Sequence, residues 1–334
     1  MADRNFRALI VEEVASRNFI REIKSRDIND LPVGNLLIQV HYSSLNYKDA
    51  LSATGRPGVT KSYPHTPGID AAGVVIECDD KTFSPGDSVI VTGYDLGMNT
   101  AGGFGQFIRI PSEWALALPA GLSLRESMIL GTAGFTAGLS VYKLVQNGVR
   151  PGDGDILVSG ASGGVGSIAV SILAKAGYRV VAATGKEAEN DYLLSLGAAE
   201  VINRESVLAG AERPMMKERW AGVVDVVGGE MLAAALKGTR YGGTVTCCGL
   251  AGSADLNVNV FPFILRGVSL LGIDSVQCPQ QVRQAVWNKL SGEWKPATLE
   301  TTATECTLQT LEEHIQSILT GKARGRTLVN ILNS

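Results

Sequence analysis

Between an apolar run, Ile156 to Val158, and an apolar helical pattern, Ile168 to Ala176, stand the residues Ser159-Gly160-Ala161-Ser162-Gly163-Gly164-Val165-Gly166. A dinucleotide pyrophosphate needs a tight turn, a backbone with no Cβ in its path, and free N–H groups at a helix N-terminus. Gly160, Gly163 and Gly166 supply these, with Ser162, Gly164 and Val165 beside them. The spacing is G-x-x-G-x-x-G, not the G-x-G-x-x-G fingerprint. The strand before and the helix after are what favour a nucleotide over an ordinary glycine-rich turn. The next strand ends Ala183-Thr184-Gly185-Lys186. An acid at that tip would accept the ribose 2′-OH of NAD, whereas a cation accommodates the 2′-phosphate of NADP. Thr184, Gly185 and Lys186 therefore point to NADPH, with Arg204, after Val201-Ile202, within reach of the same phosphate. Against this, Glu187 follows at once, and a loop lysine or arginine is commonly only a solvated charge.

A second candidate is Ser43-Ser44-Leu45-Asn46-Tyr47-Lys48-Asp49-Ala50-Leu51, which leaves a strand and starts a helix. Asn46 reads as an N-cap, with Asp49 three residues later near the positive end of the dipole. Tyr47, at the first helical position, either packs or projects as a donor to a developing oxyanion. Cys247 and Cys248 adjoin on an apolar strand with no base nearby, which reads as structural thiols rather than a nucleophile.

These pieces must be positioned by a chain of 334 residues, long enough for two domains. With 45% hydrophobic and 19% charged residues and a mean hydropathy of +0.12, it reads as globular. The net charge of −3 lacks the footprint expected for nucleic acid or an anionic membrane. Five cysteines without C-x-x-C spacing suggest a reducing compartment, and no signal-length or membrane-length apolar run is evident. A cytoplasmic protein is expected.

The hydrophobic rhythm changes near residues 120 to 130. Before it, period-two runs recur over Leu36 to Ser43, Ala72 to Glu77, Ser88 to Thr92 and Gln106 to Ile110, an all-β pattern. After it, strands and helices alternate through Ile156 to Ser159, Arg179 to Ala183, Val201-Ile202, Val223 to Val227, Thr244 to Cys248 and Val268 to Gly272. That alternation implies a parallel α/β sheet. A helical pattern over Val282 to Leu290, a helix carrying Leu308, Leu311, Ile315 and Leu319, and a closing strand Thr327 to Ile331 follow.

Pro67-Gly68-Ile69-Asp70-Ala71-Ala72-Gly73, the turn Gly86-Asp87-Ser88-Val89 and the Gly160 to Gly166 loop resemble the medium-chain dehydrogenase/reductase superfamily over nearly the whole chain. Ser43 to Ala50, Gly131-Thr132-Ala133-Gly134-Phe135-Thr136-Ala137, Pro262-Phe263-Ile264-Leu265-Arg266 and Gly325-Arg326-Thr327-Leu328-Val329 are similar to its zinc-free quinone oxidoreductase and acrylyl-CoA reductase branch. The resemblance implies an α/β chain in two domains. One is a GroES-like β domain over 1–125 and 297–334; the other is a Rossmann domain, a doubly wound parallel sheet, over 126–296. It also implies NADPH in the cleft and a homodimer. Zinc-dependent relatives carry Gly-His-Glu where this chain has Gly68-Ile69-Asp70, and a cysteine near Asn46. His41, His65 and His314 share no ligand spacing with a cysteine, so no zinc is expected.

By the same resemblance Asn46 and Tyr47 are the catalytic candidates. Tyr47 and Thr132 lie toward the nicotinamide and its ribose, Ser162 to Val165 under the pyrophosphate, and Gly249, Leu250, Phe263, Ile264 and Ser275 at the nicotinamide end. Lys322, Arg324 and Arg326 either meet CoA phosphates or form a solvated turn. The chemistry implied is metal-free conjugate reduction of a short 2-enoyl-CoA such as acrylyl-CoA, with Tyr47 as the candidate donor, either as proton source or as oxyanion stabiliser of the enolate. A quinone or enone reductase and a non-catalytic NADPH-binding sensor are the competing readings.

Overall fold

A computed structural model describes residues 5–334, which divide into two compact units: the chain up to Thr132 together with Leu299–Ser334, and Ala133–Thr298. The first unit opens with an antiparallel hairpin, β1 (Asn5–Ala15) and β2 (Asn18–Asp27). The sequence shows no alternation here. β1 buries a continuous run from Ala8 to Val11, and β2 buries none of its residues fully, so neither strand has one wet and one dry face. β3 (Leu36–Leu45), α1 (Tyr47–Ala53), β4 (Asp70–Cys78), β5 (Ser88–Thr92), β6 (Phe107–Ile110) and β7 (Ala115–Ala117) follow.

α2 (Leu124–Gln146) is 23 residues long and is interrupted at Gly131, whose φ of 51° and ψ of −155° lie outside helical values. The sequence reading finds no run of membrane-spanning length, yet α2 is long and apolar enough to span by length and composition. It is 78% buried within the protein across its most apolar stretch, which makes it a core helix.

The second unit then alternates. β8 (Asp155–Val158), α3 (Gly164–Lys175), β9 (Val180–Thr184), α4 (Asn190–Ser195), β10 (Glu200–Asn203), α5 (Glu205–Leu208), β11 (Trp220–Asp225), α6 (Gly229–Lys237), β12 (Thr239–Cys247), α7 (Phe261–Arg266), β13 (Ser269–Gly272) and α8 (Gln280–Ser291) run in order. Its six strands are all parallel in the order β10-β9-β8-β11-β12-β13. The order reverses between β8 and β11, and in open sheets the crevice beyond the carboxyl ends at such a reversal is where ligands bind.

The remaining elements, β14 (Ala303–Cys306), α9 (Leu311–Leu319) and β15 (Arg326–Asn330), belong to the first unit. β15 pairs antiparallel with β3, giving a seven-stranded sheet of order β14-β15-β3-β4-β5-β7 with β6 also on β3. Val11, Leu36, Ile38, Phe104, Ile108, Ile110 and Val329 fill its core. The β15 to β3 register sets Thr327 opposite Leu45, so a residue from the end of the chain arrives beside the turn that begins α1.

Candidate functional site

In the α/β unit, β8 ends at the turn Ser159 to Gly163. Gly160 has φ of +56°, a left-handed conformation that suits glycine, and a Cβ there would also stand 2.7 Å from Val226 Cγ2. A Cβ on Gly166 would lie 2.4 Å from the Gly160 carbonyl oxygen, so this glycine lets α3 close onto the turn. Gly163 differs. Its Cβ would meet nothing nearer than the Gly160 oxygen at 3.4 Å, an ordinary contact, so internal packing does not demand a glycine there. Gly163 is the N-cap of α3 without a capping side chain, and the first turn carries no acid. The helix thus keeps its first amides and its positive dipole end for an outside anion. Gly164 and Val165 stand in that first turn. These are the features that a dinucleotide pyrophosphate fits.

At the tip of β9 the structure brings four predicted residues together. Ser162 Oγ and Thr184 Oγ1 are 3.3 Å apart, the Lys186 backbone N–H donates to Thr184 Oγ1 at 3.1 Å, and the Arg204 N–H donates to the Thr184 carbonyl at 3.0 Å. Arg204 folds across Gly185, where an added Cβ would lie 3.2 Å from its Cδ and Nε. Its guanidinium is exposed and pairs with its neighbour Glu205, at 3.3 Å.

A residue that sequence reasoning did not single out lies beneath the turn. Asp225, at the carboxyl end of β11, accepts Ser159 Oγ at 2.6 Å and the Gly228 N–H at 2.8 Å, tying the loops on both sides of the strand-order reversal. Burial raises its pKa, opposed by these hydrogen bonds. A buried acid at a strand end has no periodic signature of its own, so nothing in the pattern marks it. Beyond β11, β12 and β13 a pocket of about 780 Å³ is lined by Gly228, Gly249, Leu250, Cys247, Cys248 and Gln277 among others. Phe263 packs into the core and Ile264 is exposed, so neither joins Gly249 and Leu250 at this pocket. Ser275 sits on the turn between β13 and α8, between the pocket residues Asp274 and Gln277. Burial, reinforced by the Asp225 carboxylate, pushes the Cys248 thiol up to about 12 and raises Cys247 as well, which suits inert thiols.

In the β unit, Tyr47 begins α1 and its side chain is 52% exposed, whereas Asn46 before it is buried. The Asn46 N–H donates to Asp49 Oδ2 at 2.8 Å, closing the expected cap. Its side-chain amide does more. Nδ2 donates to Asp70 Oδ2 at 2.7 Å, and Oδ1 accepts from Arg326 Nη1 at 3.3 Å. Asp70 also accepts Ser44 Oγ at 2.5 Å and, from Thr132, the N–H at 2.9 Å and Oγ1 at 2.6 Å. Thr132 and Asn46 therefore meet on one carboxylate. Asp49 Oδ1 accepts the N–H groups of Gly68 and Ile69 at 3.2 and 2.8 Å. The interruption of α2 rests on the same cluster, since a Cβ on Gly131 would lie 2.4 Å from Ser44 Oγ and 2.5 Å from Asp70 Oδ2.

Arg326 corrects the sequence reading. It neither reaches toward CoA phosphates nor lies in a solvated turn, because only 3% of it is exposed. It donates to the Ile129 carbonyl and to Ser44 Oγ, each at 2.9 Å, besides Asn46. Its burial lowers its pKa, opposed by Asp70 and Asp49.

These positions do not fit a catalytic zinc. The oxygens of Asp70 are taken by four donors and those of Asp49 by backbone and amide N–H groups. Among the described residues no group of three His, Cys, Asp or Glu side chains is arranged to hold a metal. His65 is buried with Nε2 2.9 Å from the Gly97 carbonyl, and His41 lies within β3.

Burial and the neighbouring Asp70 raise Asp49 from 3.8 to about 7. An acid whose folded pKa is raised stabilises the fold fully only below its unfolded pKa, and that contribution is lost as pH climbs through the folded value. Native stability is therefore expected to lose this contribution between about pH 4 and pH 7, and Asp49→Asn to remove that part of the slope. Urea unfolding of both proteins at pH 5 and pH 8 checks this; identical pH dependence in the two would contradict it.

Family models place the two halves. A model described as "Alcohol dehydrogenase GroES-like domain" matches residues 32–120, and one described as "Zinc-binding dehydrogenase" matches residues 164–291. A curated relative, "Acrylyl-CoA reductase AcuI" from Ruegeria pomeroyi, is 43% identical over 327 residues, 98% of this chain and 99% of its own. The chain belongs to the medium-chain dehydrogenase/reductase superfamily. As a member it is an oxidoreductase with a GroES-like domain and a Rossmann domain, and within the superfamily its relatives are narrower still. "Putative quinone oxidoreductase YhfP" from Bacillus subtilis is 46% identical over 98% of the chain and 99% of its own. The solved yhfP structure, which has NAD bound, matches with a TM-score of 0.96 across 98% of this chain and 100% of that one. The yhdH oxidoreductase from Salmonella enterica, solved in complex with NADP, matches with a TM-score of 0.94 at 43% identity, across 97% of this chain and 99% of that one.

Proposed function

We propose that this medium-chain oxidoreductase uses NADPH to reduce the activated C=C bond of a short 2-enoyl-CoA such as acrylyl-CoA, without a metal. The observation that carries the cofactor reading is the tip of β9, where Thr184, Gly185 and Lys186 supply no acid and Arg204 lies across the glycine with its guanidinium exposed. A 2′-phosphate is stabilised by such a cation and a ribose hydroxyl gains nothing from it. The 43% identity to an acrylyl-CoA reductase over 98% of the chain supports the substrate.

NADPH, when bound, supplies the hydride. The chain's own residues bind and orient: α3 offers its N-terminal amides to the pyrophosphate beside Gly163, and Thr132, whose hydroxyl is fixed by its bond to Asp70, is the candidate contact for the nicotinamide ribose. Gly249, Leu250 and the turn bearing Ser275 bound the pocket at the nicotinamide end. Hydride reaching the β-carbon drives the π pair onto the thioester oxygen, and the enolate so formed takes a proton at its α-carbon. Tyr47 donates the hydrogen bond to that oxygen, and Asn46, fixed by Asp70 and Arg326, holds the start of its helix.

Following NADPH absorbance with purified protein, with acrylyl-CoA and a simple quinone run in parallel, tests the reading. Saturable oxidation by the thioester is expected. A quinone turned over well while acrylyl-CoA is not would put the second reading first, as favoured by the name YhfP carries at 46% identity. Lys186→Ala and Arg204→Ala are each expected to weaken NADPH about tenfold and NADH hardly at all, in line with a charge-assisted phosphate contact of roughly 1.5–3 kcal/mol. Equal losses for both cofactors, measured by fluorescence titration, would remove these residues from the 2′-phosphate site.

A further inference from the structure

The pocket beyond β11, β12 and β13 has two kinds of wall. One, Gly228 with Gly249 and Leu250, is fixed by close backbone packing: a Cβ on Gly249 would stand 1.9 Å from the Val226 carbonyl oxygen. Another is the segment leaving β13, in which Asp274, Gln277 and Cys278 line the pocket. β13 is an edge strand, and the last bond carrying this segment forward from the sheet runs from the Ile273 N–H to the Cys247 carbonyl at 3.0 Å. Past that point the turn is tied by two side chains. Asp274 Oδ1 accepts the N–H groups of Val276 and Gln277 at 2.8 and 3.2 Å. Arg283 Nη2, from α8, donates to the carbonyls of Ser275 and Val276 at 3.0 and 3.1 Å.

Arg283 is only 1% exposed. Its guanidinium carbon lies 4.8 Å from the centroid of the Phe135 ring, and Phe135 stacks on Trp287 with centroids 6.2 Å apart and planes within 6°. Taking a guanidinium out of water costs several kcal/mol, and an apolar side chain of similar volume could fill the same space more cheaply. What the apolar side chain cannot do is hold two successive carbonyls while its plane lies on an aromatic face. The backbone so held is the turn whose side chains line the pocket.

We infer that Arg283 is a positioning residue: it fixes the turn Asp274 to Cys278 as a wall of the nicotinamide-end pocket and thereby sets the affinity for the reduced cofactor. This rests on the reading of the pocket given above and adds to it a residue that touches neither cofactor nor substrate. The 2′-phosphate is read elsewhere, at Lys186 and Arg204, so loosening the turn weakens NADPH and NADH alike.

The test is equilibrium binding of NADPH and NADH, with melting temperatures, for Arg283→Met, Arg283→Lys, Asp274→Ala and Asp274→Asn in the full chain. Arg283→Met keeps the volume and removes the donors, and is expected to raise both dissociation constants at least tenfold with their ratio unchanged. Arg283→Lys, which keeps a charge and donors without the planar stack, falls between it and wild type. Asp274→Ala releases the amides of the same turn and leaves the α8 core intact, so it moves in the same direction, while Asp274→Asn, retaining an Oδ1 acceptor for those amides, loses less than Asp274→Ala. A lowered melting temperature with both constants within twofold of wild type would make Arg283 a core residue and nothing more. Should Arg283→Met fail to fold, the Asp274 pair decides in the same terms. Wild-type protein that binds no nicotinamide cofactor defeats the functional reading itself, whereas wild-type binding with indifferent variants defeats only this inference.

Discussion

Arg326→Met is expected to lower the unfolding free energy by about 3–5 kcal/mol at pH 8, the range for removing one partner of a buried charged network. The guanidinium meets the carboxylates through intermediaries. Ser44 Oγ accepts from Nη2 and donates to Asp70, and Asn46 accepts at Oδ1 and donates from Nδ2 to the same carboxylate. Methionine fills most of the volume but leaves the Ile129 carbonyl and Ser44 Oγ without their donor, and two buried acids without a cation. Part of that cost is electrostatic and should therefore depend on protonation. Asp49 already stands near 7, and once Arg326 is gone its neutral form is favoured further, so the deficit is expected to shrink as pH falls from 8 to 5. Arg326→Met combined with Asp70→Asn should be less destabilised than the sum of the two single changes, since the second removes the charge that the first strands. Urea unfolding of the four proteins measures this. A deficit under about 1 kcal/mol, or one indifferent to pH, would show that the network is packing rather than charge.

How far the sequence could disclose this site follows from what kind of residue each part uses. The glycine loop was legible because it joins two strong local signals, a buried strand and an apolar helix, and glycines carry their steric meaning with them. The tip of β9 was legible for the same reason: one strand end, one absent acid. Arg326 and Asp225 were not. Arg326 lies 279 residues beyond Tyr47, and only the pairing of β15 with β3 brings it to the turn before α1. From the sequence it looks like one of three basic residues in a polar stretch, and its burial is a property of the sheet. Asp225 closes an apolar strand, where a solvated end is the default reading. The hairpin of β1 and β2 was invisible because neither strand alternates. The interruption of α2 at Gly131 was unread for a related reason: a glycine in an apolar run looks like helix packing until Ser44 and Asp70 are found against it. What the pattern lacks in each case is a long-range partner, and the carboxylates of Asp49 and Asp70 are the costliest example, since their tolerance rests on donors from Ser44, Asn46, Thr132 and the Gly68-Ile69 backbone and on the buried Arg326 cation.

Tyr47→Phe is expected to lower kcat for acrylyl-CoA by about 10² to 10³, the usual loss for one oxyanion donor, with NADPH affinity within about threefold of wild type. The substitution deletes one oxygen from a side chain that is 52% exposed at the first turn of α1 and leaves Asn46, Asp49 and Asp70 in place, so stability should hardly move. That separates it from Arg326→Met, whose effect on activity would come with lowered stability. The phenol has two possible duties, donating a hydrogen bond to the enolate oxygen or handing a proton to the α-carbon, and the solvent deuterium isotope effect on kcat tells them apart. If the phenol keeps its proton, solvent protonates the carbon in both proteins, and the isotope effect is the same in wild type and phenylalanine. If the phenol hands its proton over, the wild-type isotope effect belongs to that transfer and changes when phenylalanine leaves the carbon to solvent. We expect the unchanged isotope effect, because solvent reaches a half-exposed side chain and can itself protonate carbon. A kcat within threefold of wild type at every pH would take Tyr47 out of the reaction and return the search to the donors around Thr132.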